Sequence, residues 1–318
     1  MKIGARLKNF WGLLKETFRQ WSEREPFNNS IIISYYTIFS LPGLLVIIIT
    51  VAGYFYDEKK VTTQITSQIE ATVGGDTASD VEQIVEKAGE TKSSVIASIL
   101  GVATLLFGAT GVFYQLQQIL NKMWEVKPKP KQKILKLIRD RIFSFGLILV
   151  VGFLLLVSLI LSAALTAVSD WVSGHISESL QVAFKVLDFV VSLGVVTLLF
   201  ASIYKFLPDA KISWKDVWIG ALMTSVLFVI AKFALGIYFG QSDPGSTYGA
   251  AGSIVLIMLW VSYAGLILLF GAEFTQVYAN RYGKKVQPVS TAVSTEGENE
   301  NGAIVNKKKE KDIKRTTG

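Results

Sequence analysis

Six long apolar blocks interrupt this chain, and each is long enough to cross a lipid bilayer as a helix. They cover residues 30–56, 93–120, 142–168, 183–206, 217–240 and 249–278. A hydrocarbon core of ~30 Å needs ~20 helical residues, and inside lipid the backbone must satisfy its own hydrogen bonds. The chain is 51% hydrophobic with a mean hydropathy of +0.43. The sequence therefore predicts an all-α membrane protein, a six-transmembrane-helix bundle.

Basic residues alternate between the segments that connect these blocks. Lys and Arg number six in 1–29, eight in 121–141, three in 205–216 and nine in 280–318, but none in 169–182 or 241–248. Segment 57–92 has four basic and eight acidic residues. Because basic connecting segments stay in the cytoplasm, we expect both termini inside (N-in/C-in). Anionic lipids of the cytoplasmic face are then the expected partners of the basic segments.

Three segments flank or interrupt the predicted transmembrane domain, 29–280. Residues 1–28 form a cytoplasmic amphipathic helix along the membrane interface, with an apolar face of Ile3, Leu7, Phe10, Trp11, Leu14, Phe18 and Trp21. The alternative is a soluble helix packed on the cytoplasmic loops. Segment 57–92 has helical patterning broken at Gly74-Gly75, which predicts a small extracytoplasmic helical hairpin. Residues 281–318 are polar and charged, and we expect a disordered basic cytoplasmic tail.

Composition and motifs argue against an enzyme. The chain has no cysteine and a single histidine, His175, so no thiolate or His-rich metal site is expected. Phosphate-binding GxxxxGK[ST], GxSxG and HExxH motifs are absent from the sequence. The basic runs lack a stacking platform for bases. We therefore expect no catalytic residue, no metal, no cofactor and no nucleic-acid partner.

The first block holds polar groups and a helix breaker, in the stretch SYYTIFSLPGLL (34–45). Proline removes the backbone hydrogen bond to the carbonyl four residues earlier, here that of Ile38, and nearby hydroxyls can bridge to freed carbonyls or to another helix. Two structures fit: a kinked helix fastened to its neighbours, or a broken helix lining a cavity. The candidate pathway residues are Tyr35, Tyr36, Ser40 and Pro42.

Lys232 and Asp188 place charges within the fifth and fourth blocks. Lys232 lies roughly 22 Å from the inner end and about 12 Å from the outer end of its block, at 1.5 Å per residue. Either it snorkels partly to the headgroups, or it is a buried charge with a partner. Because Asp188 lies at comparable depth, we expect an Asp188–Lys232 pair in the second case.

Small and polar residues mark the last block and the inner side. Gly245, Gly249 and Ser253 recur every four residues, a spacing that fits close helix packing or a substrate-facing surface. Glu273 falls about twenty residues, or ~30 Å, after Ser253, which places it at the inner interface within reach of water. Gln115 and Asn121 end the second block on that side. These residues form either an inner vestibule or an interfacial polar rim.

Five segments together resemble the YihY/BrkB family of bacterial inner-membrane proteins, some of whose members are labelled ribonuclease BN or virulence factor. They are SYYTIFSLPGLL (34–45), GATGVFYQLQQILNKMWEV (108–126), YKFLPDAKISWKDVWIGAL (204–222), AKFALGIYF (231–239) and YGAAGSIVLIMLWVSYAGLILLFGAEFTQVYA (248–279). Family members often have Ala-Pro where this chain has Leu41-Pro42. The resemblance implies six spans, cytoplasmic termini, a multi-pass location in the bacterial cytoplasmic (inner) membrane, and transport or export.

The sequence and the resemblance leave three candidate functions. Transport of a small solute, ion or lipid without an ATPase fits the Pro-Gly span, the intramembrane lysine and the absence of any sizeable soluble domain. A non-catalytic scaffold that supports the envelope is the alternative, in which Pro42, Gly249 and Lys232 serve packing. A ribonuclease is least favoured, because Glu125, Asp140, Asp209 and Asp216 are scattered among lysines.

Overall fold

A computed structural model describes residues 2–55, 58–89, 95–129, 178–242 and 246–294, with isolated positions between 146 and 154. Its helices are α1 (Lys2–Glu23), α2 (Pro26–Phe55), α3 (Glu58–Val73), α4 (Gly75–Gly89), α5 (Val95–Met123), α6 (Glu178–Phe206), α7 (Trp214–Ser242) and α8 (Gly252–Tyr282). A 3-10 helix, Ser246–Ala251, precedes α8. Its strands are β1 (Val126–Pro128), β2 (Ala210–Lys211), β3 (Gln287–Pro288) and β4 (Ala292–Ser294).

Four of the described helices are long and apolar enough to cross a membrane. They are Pro26–Val51, Val186–Phe206, Trp214–Phe239 and Gly252–Tyr282. They correspond to the first, fourth, fifth and sixth apolar blocks, so the predicted helical membrane fold is confirmed there. Helix α5 occupies the second block, and the third block lies almost entirely outside the described residues. The count of six spans and the N-in/C-in orientation stay predictions.

Helix α8 is the centre of the described bundle, because α1, α2, α4 and α7 all pack against it. Its second half is buried almost continuously. Helices α7 and α8 approach closely: a methyl group added to Gly220 would collide with Thr275, and one added to Gly271 would collide with Thr224. Each helix thus presents a Gly-x-x-x-Thr pair to the reversed pair of its antiparallel neighbour, and the small glycines permit the approach.

The four strands lie where α2 begins and α5, α6 and α8 end, called here the Arg24 end of the bundle. Strand β1 pairs antiparallel with β4, and β2 pairs antiparallel with β3. The chain after α8 therefore joins both segments that follow α5 and α6. The prediction of a disordered tail is wrong for residues 281–294, because they finish α8 and pair their backbone groups in strands. Residues 295–318 lie outside the described residues.

The segment predicted as a helical hairpin forms α3 and α4, which separate at Gly74. The φ of 103° at Gly74 lies in the left-handed region that favours glycine. Val61 and Val81 of the hairpin form an apolar cluster with Leu45 and Ile49 of α2. Ser253 at the start of α8 donates a hydrogen bond to Asp80 of α4. The hairpin therefore caps α2 and α8 at the end opposite Arg24, and its extracytoplasmic side stays a prediction.

One open alternative is decided and one expectation about local structure is corrected. Helix α2 continues through Pro42, so the described structure has a continuous proline-containing helix rather than a broken one. Gly249 adopts φ 54° and ψ −127°, a non-helical conformation, and α8 begins after it, at Gly252. Gly249 and Ser253 therefore do not share a helical ridge, and Gly245 lies outside the described residues.

Candidate functional site

A two-residue corner between α1 and α2 positions Arg24. The Arg24 backbone N–H donates to the Trp21 carbonyl at 3.1 Å, and Asn29 Nδ2 donates to the Arg24 carbonyl at 2.8 Å. Pro26 opens α2, where its fixed φ suits the first helical turn. Glu25 has φ 52°, a left-handed conformation that costs a non-glycine residue roughly 1–2 kcal/mol. These contacts hold the corner in one shape.

The Arg24 side chain joins three elements. Its Nε lies 3.1 Å from Glu273 Oε2 of α8, and its Nη2 lies 2.9 Å from Glu125 Oε1, just past the end of α5. Nη1 donates to the Lys122 carbonyl at 3.2 Å. Arg24, Glu125 and Glu273 are called here the Arg24 cluster. Two carboxyl groups therefore share one guanidinium.

Glu273 is fully buried within the Arg24 cluster, with 0% of its side chain exposed. This corrects the expectation that water reaches it. Among the described residues, neither of its carboxylate oxygens accepts a hydrogen bond, although Oε2 contacts the guanidinium. A buried carboxylate costs several kcal/mol unless it is paired and hydrogen-bonded. Glu273 is paired with Arg24 but lacks a full set of hydrogen bonds, so part of the cost of its burial stays uncompensated.

Two buried glutamines lie on the same helices as the Arg24 cluster. Gln276 follows Glu273 by three residues on α8, and Gln117 lies on α5, one turn before Asn121. Both are buried, and the side-chain oxygen of each lacks a hydrogen-bond partner among the described residues. Buried polar atoms are nearly always satisfied by protein or water. A water molecule, or a solute that donates a hydrogen bond, would therefore bind favourably at these oxygens.

Asn121 lies close by but has a structural partner. Its Nδ2 donates to Asp209 Oδ2 at 2.8 Å, and the Asp209 backbone N–H donates to Asn121 Oδ1 at 2.7 Å. This reciprocal pair fastens α5 to the segment after α6. Trp124 Nε1 donates to the Ala272 carbonyl at 3.1 Å and ties the end of α5 to α8. Of the predicted inner-side residues, Glu273 joins the Arg24 cluster, Asn121 is a fastening, and Gln115 is half-buried on α5.

The predicted residues of the first span contribute to helix packing. Ser40 is buried, its Oγ accepts a hydrogen bond from Val112 N–H at 3.3 Å, and a methyl group on Gly111 would lie 3.4 Å from that oxygen. Tyr35 and Tyr36 are exposed and their rings lie 5.7 Å apart, edge to face. Other hydroxyls of α2 donate to carbonyls of the same helix, Ser34 to Ile31 and Thr37 to Ile33. These contacts match a helix fastened to α5.

The remaining predicted residues do not meet in one place. Lys232 is half-buried on α7 and Asp188 is exposed on α6. Among the ion pairs of the described residues none joins the two. The expected pair is therefore absent from the described structure, in which residues 186–190 of α6 are all exposed. Gly249 is exposed in the 3-10 segment at the hairpin end.

Sequence reasoning missed Arg24 as a site residue. It counted Arg24 as one basic residue of a cytoplasmic segment, and Glu125 as one acid among lysines. The available signal was an arginine immediately before the first span and an acid near the end of the last one. A single sequence does not show that these residues, separated by more than one hundred positions, meet in space.

Several apolar helices able to span a bilayer, with a buried ion-paired cluster at one end, define a multi-pass α-helical membrane protein. The chain belongs to the virulence factor BrkB family, whose family model matches residues 17–295. The matched range includes every residue of the Arg24 cluster.

Similar proteins carry membrane-protein names or a ribonuclease-like name. A UPF0761 membrane protein of Delftia acidovorans is 24% identical over 66% of this chain and 47% of its own length. One of Tolumonas auensis is 29% identical over 60% of this chain and 59% of its own length. The ribonuclease-like protein YfkH of Bacillus subtilis is 22% identical over 84% of this chain and 95% of its own length. The chain thus spans less than two thirds of both UPF0761 relatives. No solved structure matches it.

Proposed function

We propose that this protein is a transporter that moves a small solute, an ion or a lipid across the bacterial cytoplasmic membrane without an ATPase of its own. One observation carries the proposal: Glu273 is fully buried near one end of an apolar helix, and its guanidinium partner is shared with a second acid. Ionisable groups buried in spanning helices usually belong to solute or ion pathways. A bundle that only holds its helices together gains little from an incompletely compensated charge.

The proposed orientation places the Arg24 end in the cytoplasm. This end carries exposed basic residues after α5, after α6 and after α8, at Lys127, Lys129, Lys211, Lys215, Lys284 and Lys285. Basic segments next to spans favour the cytoplasmic side, where anionic lipids attract them. Both termini then lie inside, six spans satisfy the topology, and the cap formed by α3 and α4 lies outside.

The proposal is tested by flux through purified protein in lipid vesicles. The vesicles are loaded with K⁺, an amino-acid mixture and a polyamine, and carry a fluorescent phosphatidylglycerol whose transfer between leaflets is followed. We expect at least one of these to move about ten-fold faster through wild type than through Glu273→Gln, a difference of ~1.4 kcal/mol in the barrier.

The matched control for this experiment is Glu25→Gln. It makes the same chemical change at the same end of the bundle, at an exposed side chain 3.6 Å from Lys122. The control variant should keep the wild-type rate. Equal rates in Glu273→Gln, Glu25→Gln and wild type contradict a pathway through Glu273.

A membrane scaffold is the second candidate, and the packing of α2 favours it. Ser40 accepts a hydrogen bond from α5, and α2 continues through Pro42. In a scaffold, wild type and Glu273→Gln both leave every flux at the background of protein-free vesicles.

The ribonuclease-like name of the Bacillus subtilis relative supplies a third candidate, which we do not favour. Of the described acids at the Arg24 end, Glu125 and Glu273 pair with Arg24, and Asp209 bonds to Asn121. No group of three or more His, Cys, Asp or Glu able to hold a metal ion occurs among the described residues. A metal-dependent nuclease needs such a cluster on the side where RNA is found.

A further inference from the structure

Helix α1 has three different faces. Leu13, 2% exposed, and the buried Thr17 face α8, where Leu13 forms an apolar cluster with Phe274 and Val277. Arg281 near the end of α8 lies 3.7 Å from Glu16. This face explains how α1 is held against the bundle. It leaves the other two faces free.

The free faces of α1 carry aromatic and basic residues side by side. Trp11 is 69% exposed and Phe18 is 58% exposed. Lys15 and Arg19 are also exposed, and within the described part of the chain neither forms an ion pair. At 100° per residue the basic pair lies directly next to the aromatic pair. Aromatic rings at the acyl boundary with cations among the headgroups are the arrangement of an interfacial helix.

The end of α1 is joined to the Arg24 cluster by a short connection. Only Arg24 and Glu25 separate α1 from α2, and the corner is held by the Trp21 and Asn29 hydrogen bonds described above. The Trp21 ring also lies 5.8 Å from the Phe270 ring of α8. A change in the tilt of α1 therefore moves Arg24 relative to Glu273.

We propose that α1 binds the anionic phospholipid surface of the leaflet at the Arg24 end, and that Arg24 transmits this binding to Glu273. Anionic headgroups attract Lys15 and Arg19, tilt α1 about its corner and loosen the ion pair between Arg24 and Glu273. A neutral surface leaves the ion pair closed. The functional effect rests on the proposed function. If the protein is a transporter, loosening the ion pair opens its pathway, so lipid charge controls transport.

The experiment compares amide hydrogen exchange of the full-length protein in two nanodiscs, one of phosphatidylcholine and one with phosphatidylglycerol added. The reporters are peptides from 117–126 and 268–279, which surround the Arg24 cluster. We expect the anionic lipid to speed their exchange at least about five-fold, the lower end of couplings between sites. The variant Lys15→Gln/Arg19→Gln should lose the lipid response, and Arg24→Gln should exchange equally in both lipids.

The matched control is Lys284→Gln/Lys285→Gln, which removes two exposed charges beyond α8 and should keep the response. Separately, brominated lipid should quench the fluorescence of Trp11. This contribution is measured as the part of the tryptophan quenching that is lost in Trp11→Phe. The inference is overturned if the exchange rates do not depend on lipid charge, if both double variants respond alike, or if Trp11 fluorescence is not quenched. A lipid response without flux refutes the transport proposal and keeps the inference, whereas Glu273-dependent flux without a lipid response refutes the inference alone.

Discussion

Arg24 determines how the buried charge of this protein is held. Its guanidinium contacts Glu125 and Glu273 and also bonds to the Lys122 carbonyl, so one residue connects the α1–α2 corner with α5 and α8. The left-handed conformations of Glu25 and Glu125, with φ values of 52° and 56°, lie on either side of these contacts. Non-glycine residues keep such conformations where surrounding contacts demand them, often at functional sites.

Removing Arg24 should destabilise the protein strongly. In Arg24→Gln the carboxylate of Glu273 stays buried without its charge partner, and we expect a loss of ~3 kcal/mol in the free energy of unfolding. Adding Glu273→Gln to this variant should recover at least about 1 kcal/mol, because the uncompensated charge is then gone. Unfolding in mixed detergent micelles measures both.

The control for the Arg24 variants is Lys122→Gln. Lys122 lies 3.6 Å from Glu25, and both side chains are more than half exposed, so the change should cost less than about 1 kcal/mol. If Arg24→Gln costs no more than this control, Arg24 does not hold the buried carboxylate.

Prediction from sequence reaches some of these residues and not others. The distance from Ser253 predicts that Glu273 lies near the end of its helix where α5 also ends, because helical rise is regular, and Glu273 does share Arg24 with Glu125 there. Its burial was not predicted, because the residue that covers it is contributed by a corner far away in the chain. Asn121 was predicted as a polar residue, but its partner Asp209 is reached only through the fold.

At the scale of elements, glycine and threonine fix the crossing of α7 and α8. Thr224 donates to the Gly220 carbonyl and Thr275 to the Gly271 carbonyl, both at 2.7 Å, so each hydroxyl is satisfied within its own helix. The Tyr204 hydroxyl adds a link from α6, donating to the Leu268 carbonyl at 2.8 Å. At this crossing the threonine side chain of each helix occupies the space that a side chain at the facing glycine would need.

A methyl group at this crossing should destabilise the bundle. Gly220→Ala puts a carbon onto Thr275, so the helices must separate, and we expect a loss of at least about 2 kcal/mol. Gly236→Ala on the same helix is the control, since an added methyl there meets nothing within 4 Å, and should be neutral or stabilise by up to about 1 kcal/mol. Thermal unfolding of the purified variants compares them, and equal stability would show that the crossing tolerates expansion.

Apolar length predicted the spanning helices well, because length and hydrophobicity decide whether a segment can cross a bilayer. The strands β3 and β4 were not predicted, because their stability comes from pairing with β1 and β2 rather than from their own sequence. Gly249 was misplaced for a related reason: spacing alone does not distinguish a helical glycine from one that begins the helix.

At the scale of the whole molecule, the two ends of the bundle differ in character. The end capped by α3 and α4 is closed by apolar contacts. The Arg24 end holds buried charges, buried glutamine oxygens without partners among the described residues, and four short strands. The proposed pathway therefore has its controlled entrance at the Arg24 end, where Gln117 is one of the buried polar residues.

Water should reach the buried polar groups of the Arg24 end when the protein moves. The chain has no native cysteine, so Gln117→Cys and Leu116→Cys can be labelled with a membrane-impermeant thiol reagent without background. The native side chains at these two positions are equally buried, each 5% exposed, and Leu116 belongs to the apolar core. We expect position 117 to react at least about ten-fold faster than position 116, because transient opening hydrates the polar side of α5 alone. Equal, negligible labelling of both in folded protein would contradict it and favour a dry scaffold.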